Sequence, residues 1–193
     1  MADYGVALSD GWVFPEELDF LYNTCKKYLR CQTLEVGSFK GLSTSALAKG
    51  SYKVTCIDFF EPSGRFIQEG DYYQVFKRNM EHIGVWDKLY VRKGNSHVIL
   101  PTLINENRKF DVIFIDASHL YEDVIQDIRD CLNLAHSNTT LVMDDWVYGG
   151  VPYQGVQKAA LECFQAKDIN LIGKMCYIQK ISAYIKDRGP TLK

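Results

Sequence analysis

Apolar positions along the chain switch between helical spacing and short unbroken or alternating runs. In PEELDFLYNTCKKYL, residues Leu18, Leu21, Tyr22, Cys25 and Leu29 recur at helical spacing. Pro15 at the first turn, Glu16 and Glu17 beside it and Lys26-Lys27 near the end match the helix dipole. Thr33–Val36 then reads as a strand, and Ala46, Leu47 and Ala48 belong to a helix that follows a glycine-bearing turn. KVTCID is a second strand, residues 72–83 a helix, and LYVRK a third strand before a Gly94-Asn95-Ser96 turn. Pro101 must lie within the first two turns of the next helix, because deeper it would break it. VIFI in KFDVIFID is apolar at every position, as a central parallel strand buried on both faces requires. TTLVMDDW is the fifth strand, residues 156–167 a helix, and INLIG with MCYIQKISAYI two closing strands read as an antiparallel pair. The alternation implies one α/β domain: a doubly wound, mostly parallel seven-stranded sheet with helices on both faces. Residues 1–32 are its lead and first helix, and 33–193 its Rossmann-like core.

The stretch TLEVGSFKGLSTSALA organises the rest. A strand feeding a helix through a tight glycine turn builds a ligand crevice at the carboxyl edge of a parallel sheet. Ser43, Thr44 or Ser45 is the expected helix cap. A dinucleotide loop needs glycines at the first, third and sixth places. Counting from Gly37, those places hold Phe39 and Leu42, so the fit fails. No Gly-Lys-Ser/Thr follows, which excludes a P-loop. Glu35 at the end of the strand suits a cationic, phosphate-free ligand instead. Asp58 ends the second strand, at the distance where an acid accepts the ribose hydroxyls of a bound adenosine. Asn95 and Ser96, on the turn after the third strand, lie within reach of the adenine edge.

The length of 193 residues suits one domain, and a net charge of −2 gives no pull toward nucleic acid or an anionic membrane. The six cysteines include no Cys-x-x-Cys pair, no run approaches transmembrane length, and the N-terminus lacks the pattern of a leader. A reduced, cytoplasmic setting is the expectation. FFEPSGRFIQEGDYY reads either as a lid or as a surface connection carrying a few packed aromatics.

Three carboxylates end strands: Asp116 on the fourth, Asp144 and Asp145 on the fifth. On neighbouring strands they would lie about 5 Å apart. Such charges need neutralising, and a divalent cation bound through oxygen, Mg²⁺ above all, would do it. Helix capping with solvated neighbours is the competing account. His119, three residues after Asp116, is a candidate general base, or else a helix-start histidine bonded to Glu122 or backbone.

The run IDASHLYEDVIQDI resembles the Ile-Asp-x-x-His-x-Tyr-Glu segment of small class I S-adenosylmethionine-dependent methyltransferases related to macrolide-sugar O-methyltransferases. LVMDDW is similar to the Asp-Asp-aromatic strand end of that group, and LEVGSFKGLST to its cofactor turn. Catechol O-methyltransferases resemble the chain more distantly: they have Lys where His119 stands and Asn where Asp145 stands. The resemblance implies that Glu35, Gly37, Ser38, Gly41 and Ser43 form the cofactor turn. It implies that Asp58 binds the ribose and that Asn95 and Ser96 lie by the adenine. Asp116, Asp144 and Asp145 would hold the metal, with Asp116 also facing the cofactor and His119 acting as base. The expected activity is metal-assisted O-methylation of a small hydroxylated acceptor such as a sugar or glycosylated metabolite. A second copy of the chain is a candidate partner. A metal-dependent hydroxylase on the same scaffold and a non-catalytic binding module are the alternatives.

Overall fold

The computed structural model describes residues 3–61, 71–148, 151–179 and 181–185. The middle of the aromatic stretch expected as a lid or connection lies outside them. Among the described residues six α-helices and nine strands follow in order: α1 (Pro15–Cys25), β1 (Gln32–Val36), α2 (Leu42–Gly50), β2 (Lys53–Asp58) and α3 (Tyr72–His82). Then come β3 (Leu89–Lys93), α4 (Ser96–Asn105), β4 (Phe110–Ile115), α5 (Tyr121–Asn133) and β5 (Ala135–Met143). The short strands β6 (Val147–Tyr148) and β7 (Val151–Pro152), α6 (Gln154–Cys163), β8 (Asn170–Ile172) and β9 (Met175–Ile178) complete the chain.

Seven strands form one sheet in the order β3-β2-β1-β4-β5-β9-β8. The first five are parallel; β9 runs antiparallel to β5, and β8 antiparallel to β9. Strand order reverses between β1 and β4, so the crevice of this fold opens at their carboxyl ends. The alternation along β4 shows how the sheet is buried. Ile113 and Ile115 pack with Leu100, Ile128 and Val156 on the face covered by α4, α5 and α6. Val112 and Phe114 pack with Leu21, Leu47 and Phe76 on the face covered by α1, α2 and α3. Each such fully buried side chain contributes roughly 1.5–3 kcal/mol of transfer free energy.

Two expectations for the first half change. α1 stops at Cys25, and Leu29 lies beyond it with its side chain exposed, outside the apolar stripe. The N-cap of α2 is Gly41 at φ 96°, without a side-chain cap; Ser43 and Thr44 spend their hydroxyls on Glu35 instead. Pro101 stands in the second turn of α4, as required.

Candidate functional site

Gly37 opens the turn after β1 at φ 92°. A Cβ there would collide with the Asp116 carbonyl and lie 2.9 Å from Ala117 Cα, so glycine lets the ends of β1 and β4 close up. Phe39 holds φ 47° with its ring stacked on Trp12, centroids 5.1 Å apart. The turn is tied from below by two acids. Asp58 Oδ2 accepts the amides of Ser38 at 2.7 Å and Phe39 at 2.8 Å, and its Oδ1 accepts that of Phe60 at 2.5 Å. Glu35 accepts the hydroxyls of Ser38 (2.7 Å), Ser43 (2.7 Å) and Thr44 (2.5 Å). Burial raises the Glu35 pKa to about 7 against the pull of those three hydroxyls, with Asp58 adding to the rise.

A cavity of about 520 Å³ opens over this turn, a size usual for ligand sites. Gly37, Ser38, Ser43, Asp58, Asn95, Ser96, Asp116, His119, Asp144 and Asp145 all line it. Glu35 and Gly41 do not; they shape the turn from behind, and Glu35 is fully buried. Among the described lining residues are seven aspartates and Glu61 but no lysine or arginine. Asn95 caps α4 by accepting the His97 amide at 2.8 Å.

The strand-end carboxylates meet because β4 and β5 pair in parallel, with Ile115 beside Met143. His119 Nε2 stands 2.5 Å from Asp145 Oδ2, and the imidazole stacks on Tyr153 with centroids 4.7 Å apart. Gly155 of α6 lets the His119 loop lie close, since a Cβ would strike the His119 carbonyl and approach Tyr121 N to 2.9 Å. Asp145 holds φ 55°. Burial pushes its pKa up, but hydrogen bonding and charge from His119 and Lys174 outweigh that, so its carboxyl titrates below the usual range. Asp116 is raised well above that range by burial and by the charge of Asp144, and no described residue hydrogen-bonds its carboxyl.

Nothing local in the sequence singles out Lys174. Its ammonium forms a close ion pair with Asp144 Oδ2 and lies 3.3 Å from Asp145 Oδ1. It sits in the turn between β8 and β9, which the antiparallel register of β9 sets beside the end of β5. Lys174 lies far from the aspartates in sequence, and the only hint of it was a lysine inside the apolar run LIGKMC. Asp127 was also missed. It lines the cavity from α5, with Oδ1 buried, unbonded and 3.5 Å from His97 Nε2. Burial pushes its pKa up to about 6, Ser96 and His97 acting against the rise.

Ligand atoms of Asp116, His119 and Asp145 lie within 4.8 Å of one another, the group among the described residues with the geometry to hold a metal. Asp144 stands outside that group. Both oxygens of Asp145 already face cationic or donating groups, His119 on one side and Lys174 on the other. Asp144 binds Lys174 with Oδ2 and its neighbour's amide with Oδ1, at 2.8 Å. An all-oxygen Mg²⁺ site on Asp116, Asp144 and Asp145 does not fit this donor set, and an imidazole with an adjacent ammonium is not what that hard cation takes.

The fold and this crevice define a class I methyltransferase architecture. The family described as "Methyltransferase domain" matches residues 34–146, more than half of the chain, and the protein belongs to that family. Among curated proteins none matches the chain. Among solved structures it is similar to cofactor-bound Rv0187 from MTB, with 20% identity and a TM-score of 0.69 over 87% of this chain and 81% of that one. It is similar to the O-methyltransferase from Bacillus cereus in complex with SAH, with 22% identity and a TM-score of 0.68 over 87% and 82%. The O-methyltransferase TomG from Streptomyces achromogenes, involved in tomaymycin synthesis and solved with SAM, shares 18% identity at a TM-score of 0.68 over 87% and 81%. At these identities the likeness establishes the fold. No helix among the described residues is long and apolar enough to cross a membrane.

Proposed function

We propose that the protein transfers the methyl group of S-adenosylmethionine to a hydroxyl of a small acceptor, a sugar or a glycosylated metabolite. The observation that carries this is the acidic cavity at the switch point, which contains a histidine oriented by a carboxylate. A pyrophosphate would meet seven aspartates and Glu61 with no lysine or arginine along the described wall, whereas a sulfonium and an α-ammonium suit it. Asp58 Oδ1, which accepts one amide, keeps a lone pair for a ribose hydroxyl, while Oδ2 already accepts two. Asp127, next to Ser96 and His97, is placed to accept from the exocyclic amine of a purine.

S-adenosylmethionine supplies an already activated methyl, so alignment and removal of one proton are what the chain must add. With Nε2–H donated to Asp145, the other imidazole nitrogen of His119 is the acceptor for the substrate hydroxyl's proton. Asp145 fixes that tautomer and stabilises the imidazolium formed. As the acceptor oxygen bonds to the methyl carbon, the carbon–sulfur bond breaks and its electrons stay on sulfur. The sugar class of acceptor is supported by the resemblance of IDASHLYED and LVMDDW to sugar O-methyltransferases.

Calorimetric titration with S-adenosylhomocysteine, followed by a panel of glycosylated and vicinal-diol acceptors, tests the proposal. Micromolar binding, about −8 kcal/mol, with methyl transfer to a hydroxyl is expected. Binding without transfer to any acceptor would leave a nucleoside-binding module, and no binding at all would overturn the proposal.

A further inference from the structure

The carboxylates at the acidic end of the cavity are backed by a buried cation. Lys174 is 4% exposed and faces two carboxylates. Its backbone is fixed on both sides. The amide donates to Glu17 of α1 at 2.6 Å, and the carbonyl accepts from Trp146 N at 2.7 Å. Glu17 is itself fully buried, and its other oxygen accepts the Phe14 amide at 2.7 Å. Gly173, at φ 57°, makes room for that arrangement, because a Cβ there would run into the Glu17 carboxyl. The side chain is therefore delivered to Asp144 and Asp145 by three separate elements, which a solvated surface lysine would not need. Burial alone would lower the ammonium's pKa, but Asp144, Asp116 and Asp145 together hold it above its ordinary value.

We propose that Lys174 is the resident cation of this cluster, pairing with Asp144 and keeping Asp145 aimed at His119, so that the site operates without a bound divalent metal. The ammonium offsets one of the two neighbouring carboxylate charges, and the His119 imidazole faces the other oxygen of Asp145. It also leaves Asp145 free to orient the imidazole rather than a metal. Lys174 is thus a positioning residue acting through Asp145. The inference concerns the same cavity as the proposed transfer, yet its central readout does not depend on any cofactor.

The test is direct metal uptake by the intact protein after chelation, followed by Mn²⁺ electron paramagnetic resonance, alongside thermal melts with Mg²⁺ or with chelator. Wild type is expected to bind no stoichiometric Mn²⁺, and its melting temperature and S-adenosylhomocysteine affinity should change less than about twofold in Kd between Mg²⁺ and chelator. Lys174→Met should melt well below wild type or fail to fold, while Lys174→Arg, which keeps the charge, should recover most of the difference and stay metal-insensitive. Uptake of one Mn²⁺ per wild-type chain at micromolar concentration would overturn the proposal. So would a Lys174→Met protein as stable as wild type, or a Lys174→Arg protein no better than Lys174→Met. Failure of S-adenosylhomocysteine to bind at all would count against the proposed transfer and leave the metal result standing.

Discussion

His119 and Asp145 form a pair whose roles separate cleanly by substitution. Replacing His119 with Ala removes the proton acceptor but not the cofactor turn. Turnover is expected to fall by something like 10²–10⁴-fold, with S-adenosylhomocysteine affinity within about threefold of wild type. Unchanged turnover would remove His119 from the mechanism. Asp145→Asn keeps the shape and loses the charge. The imidazolium then lacks its counter-ion, so turnover should fall while S-adenosylhomocysteine affinity holds, and steady-state rates beside calorimetry would show it. His119 was legible in the sequence because the run Asp-Ala-Ser-His places it just past the strand end. Its partner was not, because Asp145 could as readily have faced a metal until β4 and β5 set the distance.

Two glycines carry the geometry of whole elements, and replacing either is expected to destabilise. Within a helix, Gly→Ala normally stabilises by about 0.5–1 kcal/mol. In α6, Gly155→Ala should instead destabilise and depress activity, because the new Cβ pushes against the loop that presents His119. A variant that melts higher than wild type with full activity would show that the loop can yield. Gly37→Ala places a side chain at φ 92° against the β4 carbonyl and should cost on the order of 3 kcal/mol or more, measured by denaturant unfolding. Strands and helices were legible from apolar periodicity, down to both faces of β4 being buried. The ends were less so. The helical spacing ran on to Leu29 after α1 had stopped, and Ser43 and Thr44 looked like caps although a buried glutamate claimed their hydroxyls.

Across the molecule, several buried carboxyls share one direction of shift: Glu17, Glu35, Asp116, Asp127 and Asp144 are all raised, in each case chiefly by burial. For Glu35 the unfolded chain releases its proton near the ordinary 4.5, while the folded protein holds it to about 7. Folding therefore binds protons in that window, and stability falls as pH rises through it, then levels off. The contribution of Glu35 is on the order of 3 kcal/mol. Glu35→Gln should flatten the urea-derived stability curve between pH 5 and 8 by a comparable amount; parallel curves for the two proteins would show that the buried acid is not its source. The same concentration of carboxylates predicts that NADH, with its pyrophosphate, gives no saturable fluorescence change on titration.

Period and turn chemistry alone determined the α/β class, the order of elements, the glycine turn at the switch point and the strand-end positions of Asp58, Asp116 and His119. These are local properties: they depend on neighbours within a few residues, and a linear pattern carries them. Only the tertiary structure decided that Glu35 supports the turn from behind, that Asp127 enters the cavity from α5, and that Asp144 and Asp145 face an ammonium. Each of those depends on register between strands distant in sequence. The antiparallel return of β9 along β5 is what brings Lys174 to the aspartates, and no pattern along the chain specifies which charge will be buried opposite another.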